Sequence, residues 1–505
     1  MANKKRRVTP SGSKSRATSH ITRQGRTGFI DHHGLWSAAQ HEAARKLISE
    51  IDRQGLKYVR VMYCDQHGLI RGKVLPTAQF IGVLTNGMAS THALFAMDSA
   101  NHIFLPVFSE DGGFGVEEMG GAGDMLMVPD PATFCVLPWA PDTGWVLCDL
   151  YLKSGAPMLL SPRALLMRQL DRLAAAGYEL MIGLEVEFHV FRVDDPHLSM
   201  ADSTQPATPP SVSPLAHGYQ YQAEQKLDEL APVMTLFYEH LLALGLPMRS
   251  LEDEWGPGQC EITLDPLPGL AAADTMVLLR SALKQVARRH GYLVSFMCKP
   301  ALPNVYSSGW HLHQSLVARK DHKNVFATDQ RGALLSATGQ HYIGGLLTHA
   351  AACTAFSNPT INGYKRLNAN PLAPNRAVWS VDNKAAYIRL VGGGSDPITH
   401  IENRSGEPAA NPYLFIASQI VAGLDGLTAK RDPGPALSDP YAQVTQAPLP
   451  RSLMEAVVAL EQSDLFREAF AEPFFSYYLK LKQHEIHRFL SAVTDWEQRE
   501  YFERF

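Results

Sequence analysis

No stretch of this 505-residue chain runs eighteen apolar residues without interruption, and its first thirty residues contain no apolar block of the kind an export signal needs. Such a chain is expected to be soluble, with no membrane partner, and to work in the cytoplasm. No two of its six cysteines (Cys64, Cys135, Cys148, Cys260, Cys298, Cys353) form a CxxC pair. That excludes a thiolate metal centre and a disulfide scaffold, and leaves the cysteines as reduced, mostly core residues. The GxxxxGK[ST] and GxGxxG loops are missing too, so a bound nucleotide has to be held by another device. Acids are absent from residues 1–30, which carry eight lysines and arginines; with a net charge of −4 overall, the remainder bears −12. Residues 1–30 read as a basic, disordered tail, and the acidic body argues against nucleic acid as a partner.

What is present is a composition of 45% hydrophobic residues, enough for a large core. Leu35 to Arg53 patterns as an amphipathic helix and Tyr58 to Met62 alternates as a strand. Residues 31–155, glycine-rich with turns at DQHG, TNG, EDGG and MGGAG, form a small, mainly β unit. A second unit, 156–505, opens with a helix that Ser161 caps, Pro162 begins and Gly177 ends. Residues 194–217 are rich in Pro and Ser and read as a surface insertion. Helices are expected around Ala223–Leu244, Leu270–His290, Ala333–Ala355 and Pro412–Lys430, and from Leu453 to Phe505.

The chemistry lies in four short segments. In GLEVEFHVF, strand alternation sends Leu184, Val186, Phe188 and Val190 to one face and Glu185, Glu187 and His189 to the other, the carboxylates about 7 Å apart. LEDEWGPGQCEITL offers Glu254, then Gln259 and Glu261; SSGWHLHQSL offers His311, His313 and Ser315; HIENR offers His400, Glu402 and Arg404. One such strand is an ordinary solvated face. Four of them bring acids together that would repel unless cations neutralised them. Oxygen-rich ligands with one imidazole suit Mg²⁺ or Mn²⁺, ions that keep waters for phosphate. A cationic set, Lys365, Arg366, Arg376, Lys384, Arg389 and Arg404, matches the geometry of carboxylates and phosphates.

Together these motifs, in this order, resemble the glutamine synthetase family of the bacterial ring-forming type. The resemblance implies an α+β fold: a small N-terminal β-grasp domain and a large catalytic domain whose antiparallel strands form a funnel among helices. It implies one ion on Glu187, Glu254 and Glu261, and a second on Glu185, His311 and Glu402. His313 and Ser315 correspond to positions near ATP, Lys384 and Arg389 to positions facing its phosphates, and Arg366, Arg404 and Ser307 to positions holding glutamate. Asp65, in YCDQHGLIRGK, corresponds to an acid lent to a neighbouring subunit, which implies a homo-oligomer, twelve subunits in the family. The implied reaction is ATP-dependent: glutamate is phosphorylated on its γ-carboxylate, and an amine displaces phosphate.

The departures bear on the amine. Leu372 stands where ordinary members carry a flap glutamate that helps deprotonate ammonium, and Tyr306 and Ser307 replace an Asn-Gly pair. An apolar wall suits an organic amine, whether polyamine, alkylamine or arylamine such as aniline, better than a hydrated ammonium ion. The alternatives are an ordinary ammonia-using glutamine synthetase and a catalytically silent relative; the second conflicts with a complete set of six candidate metal ligands. Tyr441 reads as an ordinary loop tyrosine, and His189 has no assigned role.

Overall fold

The structure, a computed structural model, describes residues 27–369, 372–442 and 446–505. Most of the basic tail lies outside the described residues. Its last part does not behave as a tail: Phe29–His33 is a short helix with Ile30 buried. Gly34 then takes the left-handed conformation, and a capping box between Ser37 and Gln40 starts the helix Ala38–Gln54.

Residues from Tyr58 to Tyr151 build a six-stranded sheet. Ile70–Pro76, Tyr58–Cys64, Thr143–Tyr151, Asp124–Pro129 and Met88–Thr91 lie side by side in that order, and Cys135–Val136 also pairs with Thr143–Tyr151. Tyr58–Cys64 and Thr143–Tyr151 run parallel, while the other pairs are antiparallel. The unit read as mainly β contains a helix, Thr77–Asn86, and the TNG signal marks its end at Gly87. Burial of Phe80, Val83 and Leu84, at helical spacing, prevails there over local β propensity.

A ten-stranded sheet is built around one long strand, Tyr178–Asp195. Gln259–Leu264 pairs with it along one side and Trp310–Ala318 along the other, both antiparallel. Beyond Trp310–Ala318 lie His400–Gly406, Ile388–Val391 and Trp379–Val381. Leu184, Val186, Phe188 and Val190 point into the core, against which the helices Pro162–Ala175 and Gly269–Arg289 pack. Each such side chain contributes about 2 kcal/mol by burial. The opposite face is left for polar residues.

Ser161 accepts from the Ala164 amide and caps its helix as expected. At the start of that helix, buried Arg163 joins both halves of the chain, pairing with Asp130 at 2.8 Å, Asp149 at 2.5 Å and Asp274 at 2.8 Å. The insertion at 194–217 is not wholly irregular, because Ser211–Pro214 returns as a strand beside Phe191–Asp195. The helix expected over Ala333–Ala355 is two helices, Ala337–Thr348 and Ala350–Ser357, meeting at His349. Leu453 to Phe505 is broken into four helices, with interruptions at Gln462, Ala471 and Ala492. Among the described residues no helix is long and apolar enough to cross a membrane. The cysteines are free, and all but the partly buried Cys135 are buried.

Candidate active site

Register carries the four sequence segments onto one face of the large sheet. Glu187 lies opposite Glu261 and His189 opposite Gln259; His311 lies opposite Glu185, and Glu402 opposite both His313 and Arg389. Two glycines make the room. A Cβ on Gly183 would stand 3.1 Å from His313 Cβ, and one on Gly309 would stand 2.7 Å from Arg366 Nη2. Any side chain at Gly309 would push that guanidinium out of its seat.

Glu185 is the hub of the cluster, facing His311 Nδ1 at 2.5 Å through one oxygen and His313 Nε2 at 2.9 Å through the other. Its oxygens belong to two sets of ligand atoms lying within 4.8 Å of one another, Glu185 with Glu261 and His311, and Glu185 with His313 and Glu402. The division differs from the one the resemblance implied, which put Glu185 in one set only and His313 in neither. Glu187 instead accepts from Gln259 Nε2 at 2.9 Å and from the Gly309 amide at 3.1 Å, with His311 Nε2 3.7 Å away. Glu254 accepts from the Trp255 amide. Of the three neighbouring acids Glu252, Asp253 and Glu254, Asp253 is buried and feels Lys226, and Glu252 is bonded to Gln222 and Ser250. Glu254 is the one whose ionisation Glu187 opposes most among its neighbours.

Charge is unevenly compensated across this cluster. Burial would raise Glu402, but Arg404 and His311 hold it below the usual carboxylate range, and Arg389 Nη1 also reaches it at 3.1 Å. Glu185 is likewise held low, against its burial, by His311 and His313. On the other side, burial and then Glu187 push Glu254 up to about 8; burial with Glu185, Glu187 and Glu254 pushes Glu261 well above the usual range. For both acids the largest influences, burial and neighbouring carboxylates, oppose ionisation. A donor set of carboxylates and imidazole with such excess negative charge fits a hard divalent cation.

The cationic residues fall into place unequally. Arg366 is buried, donates Nη1 to the Arg404 carbonyl at 3.1 Å and meets His311 Nε2 at 3.3 Å. Arg404 donates Nε to the Lys384 carbonyl at 2.7 Å and pairs with Glu402 through Nη1. Arg389 bridges Asp382 and Glu402. Arg389, His313, Ser315, Glu185 and His400 line a cleft of about 1320 Å³. Lys384 touches the group through its carbonyl while its side chain is exposed, outside that lining. Ser307 is buried, and its carbonyl accepts from Gln259 Nε2 at 3.3 Å. Asp65 is not brought to the cluster within this chain. Its carboxylate accepts from the amides of His67 and Leu69 and pairs with Arg71 at 2.8 Å. Tyr306 is partly buried and Leu372 is exposed.

Three features escaped the sequence reading. His189 meets Ser308 Oγ at 3.3 Å, Ser308 Oγ meets Gln259 Nε2 at 3.0 Å, and Gln259 holds Glu187, so the third polar residue of the long strand supports the second through a buried chain. Burial pushes the His189 imidazole down to about 4, keeping it neutral in that chain. His400 donates Nδ1–H to the Ile398 carbonyl, which leaves its Nε2 to accept from His313 Nδ1 at 3.0 Å and orients the histidine beside Glu185. Tyr441, taken for an ordinary loop residue, donates its hydroxyl to the Ala373 carbonyl, next to Leu372. Burial raises its phenol, while Arg366 and Arg404 act in the opposite sense, so it faces the same arginines. Only the GPGQ turn, which sets Gln259 two residues before Glu261, signalled any of this.

Carboxylates and imidazoles gathered beside buried arginines and an open cleft make the site of an enzyme that handles anionic substrates with a divalent cation, and the family the chain belongs to is one of ATP-dependent carboxylate–amine ligases. The chain belongs to the glutamine synthetase family: residues 42–158 match its N-terminal domain and residues 159–501 its catalytic domain. It is 44% identical over 495 residues to a gamma-glutamylanilide synthase from an Acinetobacter species, covering 94% of this chain and 98% of that protein. It is 31% identical to a glutamine synthetase of Halobacterium salinarum, covering 93% and 98% of the two chains. The solved structure of apo GmaS without ligand superposes with a TM-score of 0.76 at 28% identity, covering 90% of this chain and 99% of that one.

Proposed function

We propose that this protein joins the γ-carboxylate of glutamate to an organic amine, an arylamine such as aniline by preference, using ATP and acting in the cytoplasm. The observation that carries this reading is Leu372, an exposed apolar residue next to Ala373, whose carbonyl receives the Tyr441 hydroxyl, at the position where the resemblance expects a flap carboxylate. Ammonium and alkylammonium ions are cations at pH 7 and must lose a proton before their nitrogen can attack. An arylamine is already neutral, because its lone pair is delocalised into the ring. A leucine that supplies no base is therefore no handicap to an arylamine, and its apolar surface suits the ring. The relative named gamma-glutamylanilide synthase supports the same choice.

In the first half-reaction a glutamate γ-oxygen attacks the γ-phosphorus of ATP, forming γ-glutamyl phosphate and ADP. In the second, the amine nitrogen attacks the acyl carbon, phosphate departs with the C–O bonding pair, and the nitrogen sheds a proton. By the resemblance, Glu187, Glu254 and Glu261 would hold one divalent ion, and Glu185, His311 and Glu402 another; the ligand atoms that lie together, Glu185 with Glu261 and His311 and Glu185 with His313 and Glu402, make Glu185 common to both groups and bring His313 within reach of the second. Mg²⁺ or Mn²⁺ bound there neutralises charge on the transferring phosphoryl group. The chain's own groups orient the reactants. Arg366, Arg404 and Ser307 would hold glutamate; Arg389, Lys384, His313 and Ser315 would hold ATP in the cleft. The Gln259–Ser308–His189 chain keeps Glu187 in place. Asp65 would act across a subunit boundary in a homo-oligomer of twelve, where Arg71 has to release or accompany it.

ATP-dependent phosphate release, measured with glutamate and a series of amines, tests the proposal. Aniline is expected to give the highest kcat/KM of a set containing ammonia, methylamine, putrescine and aniline. A clear preference for ammonia refutes it, and leaves an ordinary glutamine synthetase.

A further inference from the structure

Four aromatic side chains stand in a row at the rim of the acid cluster, and neither metal nor ATP chemistry uses them. Tyr221 lies 6.3 Å from Trp255 between ring centroids, Trp255 lies 6.4 Å from Tyr306, and Tyr306 lies 6.5 Å from Tyr219. The successive planes are inclined at 46°, 51° and 84°, so the rings do not stack on one another. Tyr219, Tyr221 and Trp255 each expose more than two fifths of their surface, an unusual concentration of wet aromatic area beside buried carboxylates.

The row is held at a fixed place relative to the reacting groups. Trp255 follows Glu254 and donates its amide N–H to that carboxylate at 3.1 Å. Tyr306 precedes Ser307, whose carbonyl accepts from Gln259, the residue that holds Glu187. Gly256 lets the two segments meet, since a Cβ there would lie 2.9 Å from Gln259 Oε1 and 3.2 Å from Tyr306 Cβ. Burial raises the Tyr221 phenol to about 12, with Glu254 and Glu261 the next causes, which places its ring within electrostatic reach of both acids. Tyr219 and Tyr221 follow the Pro/Ser-rich insertion directly, between its return strand Ser211–Pro214 and the helix Glu224–Ala243.

We propose that Trp255, Tyr306, Tyr221 and Tyr219 form the surface that receives the ring of an arylamine acceptor, with its amino group directed toward the acyl carbon. The assignment rests on the reading of the enzyme as an arylamine ligase and adds the residues that make it one. Inclined faces and edges at these spacings match the offset and edge-to-face arrangements that aromatic rings prefer. The carboxylates nearest in sequence to Trp255 are Glu254, a candidate metal ligand, Asp253, which is buried, and Glu252, bonded to Gln222 Nε2 at 2.8 Å and to Ser250.

The test compares KM and kcat for aniline and for methylamine in the full-length enzyme and its Trp255→Ala, Trp255→Phe and Tyr219→Ala variants. Trp255→Ala is expected to raise KM for aniline by about tenfold or more while KM for methylamine moves by less than about threefold. Trp255→Phe is expected to recover most of the loss, and Tyr219→Ala, on an exposed segment, to show the same selectivity more weakly. An equal change for both amines, or an unchanged KM for aniline, overturns the assignment; should Trp255→Ala not fold, the other two variants are judged by the same rule. Failure of the functional reading is seen separately, as a parent enzyme that does not turn over aniline.

Discussion

Replacing Glu254 with glutamine is expected to make the metal-free protein more stable above neutral pH. Burial and then Glu187, with smaller contributions from Glu252 and Glu185, raise this carboxyl from 4.5 to about 8. A group that holds its proton more tightly in the folded than in the unfolded chain favours folding below its unfolded pKa, and that advantage is lost as the pH rises through the folded value. Here the loss begins near pH 4.5 and is complete a little above pH 8. At about 1.4 kcal/mol per pH unit it amounts to about 5 kcal/mol, which partial access of solvent reduces to about 2–3 kcal/mol. Glutamine keeps the shape and removes the charge, so the variant escapes the penalty. Urea midpoints of EDTA-treated protein at pH 6 and pH 8.5 measure the effect. The parent should weaken between the two values, the variant should not, and Mg²⁺ should restore the parent at pH 8.5 while leaving the variant little changed. The variant should also lose phosphate release. A variant no more stable than the parent at pH 8.5 would show that the carboxylates are not crowded as described.

Other consequences concern separate parts of the molecule. Arg163→Met leaves Asp130, Asp149 and Asp274 facing one another and is expected to cost about 3–5 kcal/mol in urea unfolding; a loss below about 1 kcal/mol contradicts the joining role. Gln259→Ala removes the donor to Glu187 and should lower kcat for phosphate release by about 10–100-fold. An unchanged kcat would make the buried His189–Ser308–Gln259 chain structural only. Leu372→Glu supplies a base at the flap and should raise the kcat/KM ratio of ammonia to aniline by about tenfold or more; an unaltered ratio removes Leu372 from amine selection.

The site was legible in the sequence to the extent that it follows a period of two. Glu185, Glu187, Gln259, Glu261, His311, His313 and Glu402 announce their face through alternation with buried apolar neighbours, and pairing then assembles them. Alternation says nothing about how two strands slide past each other. That is why the grouping of Glu185 with both histidines emerged only from the register. Contacts between remote loops left no signal at all. Tyr441 reaches Ala373 across a stretch without periodicity, and Trp255 meets Tyr306 because Gly256 permits close approach. Asp65 shows the converse, where a recognisable motif position proves to have its carboxylate engaged by a turn and Arg71. In the smaller sheet, the helix Thr77–Asn86 was hidden by flanking turn residues that suit strands equally well.

The identity of the amine is tested most directly by the mass of the product. Incubation of the enzyme with glutamate, ATP, Mg²⁺ and equimolar ammonia and aniline, followed by mass spectrometry, is predicted to give γ-glutamylanilide as the dominant product. Glutamine as the dominant product would contradict the account.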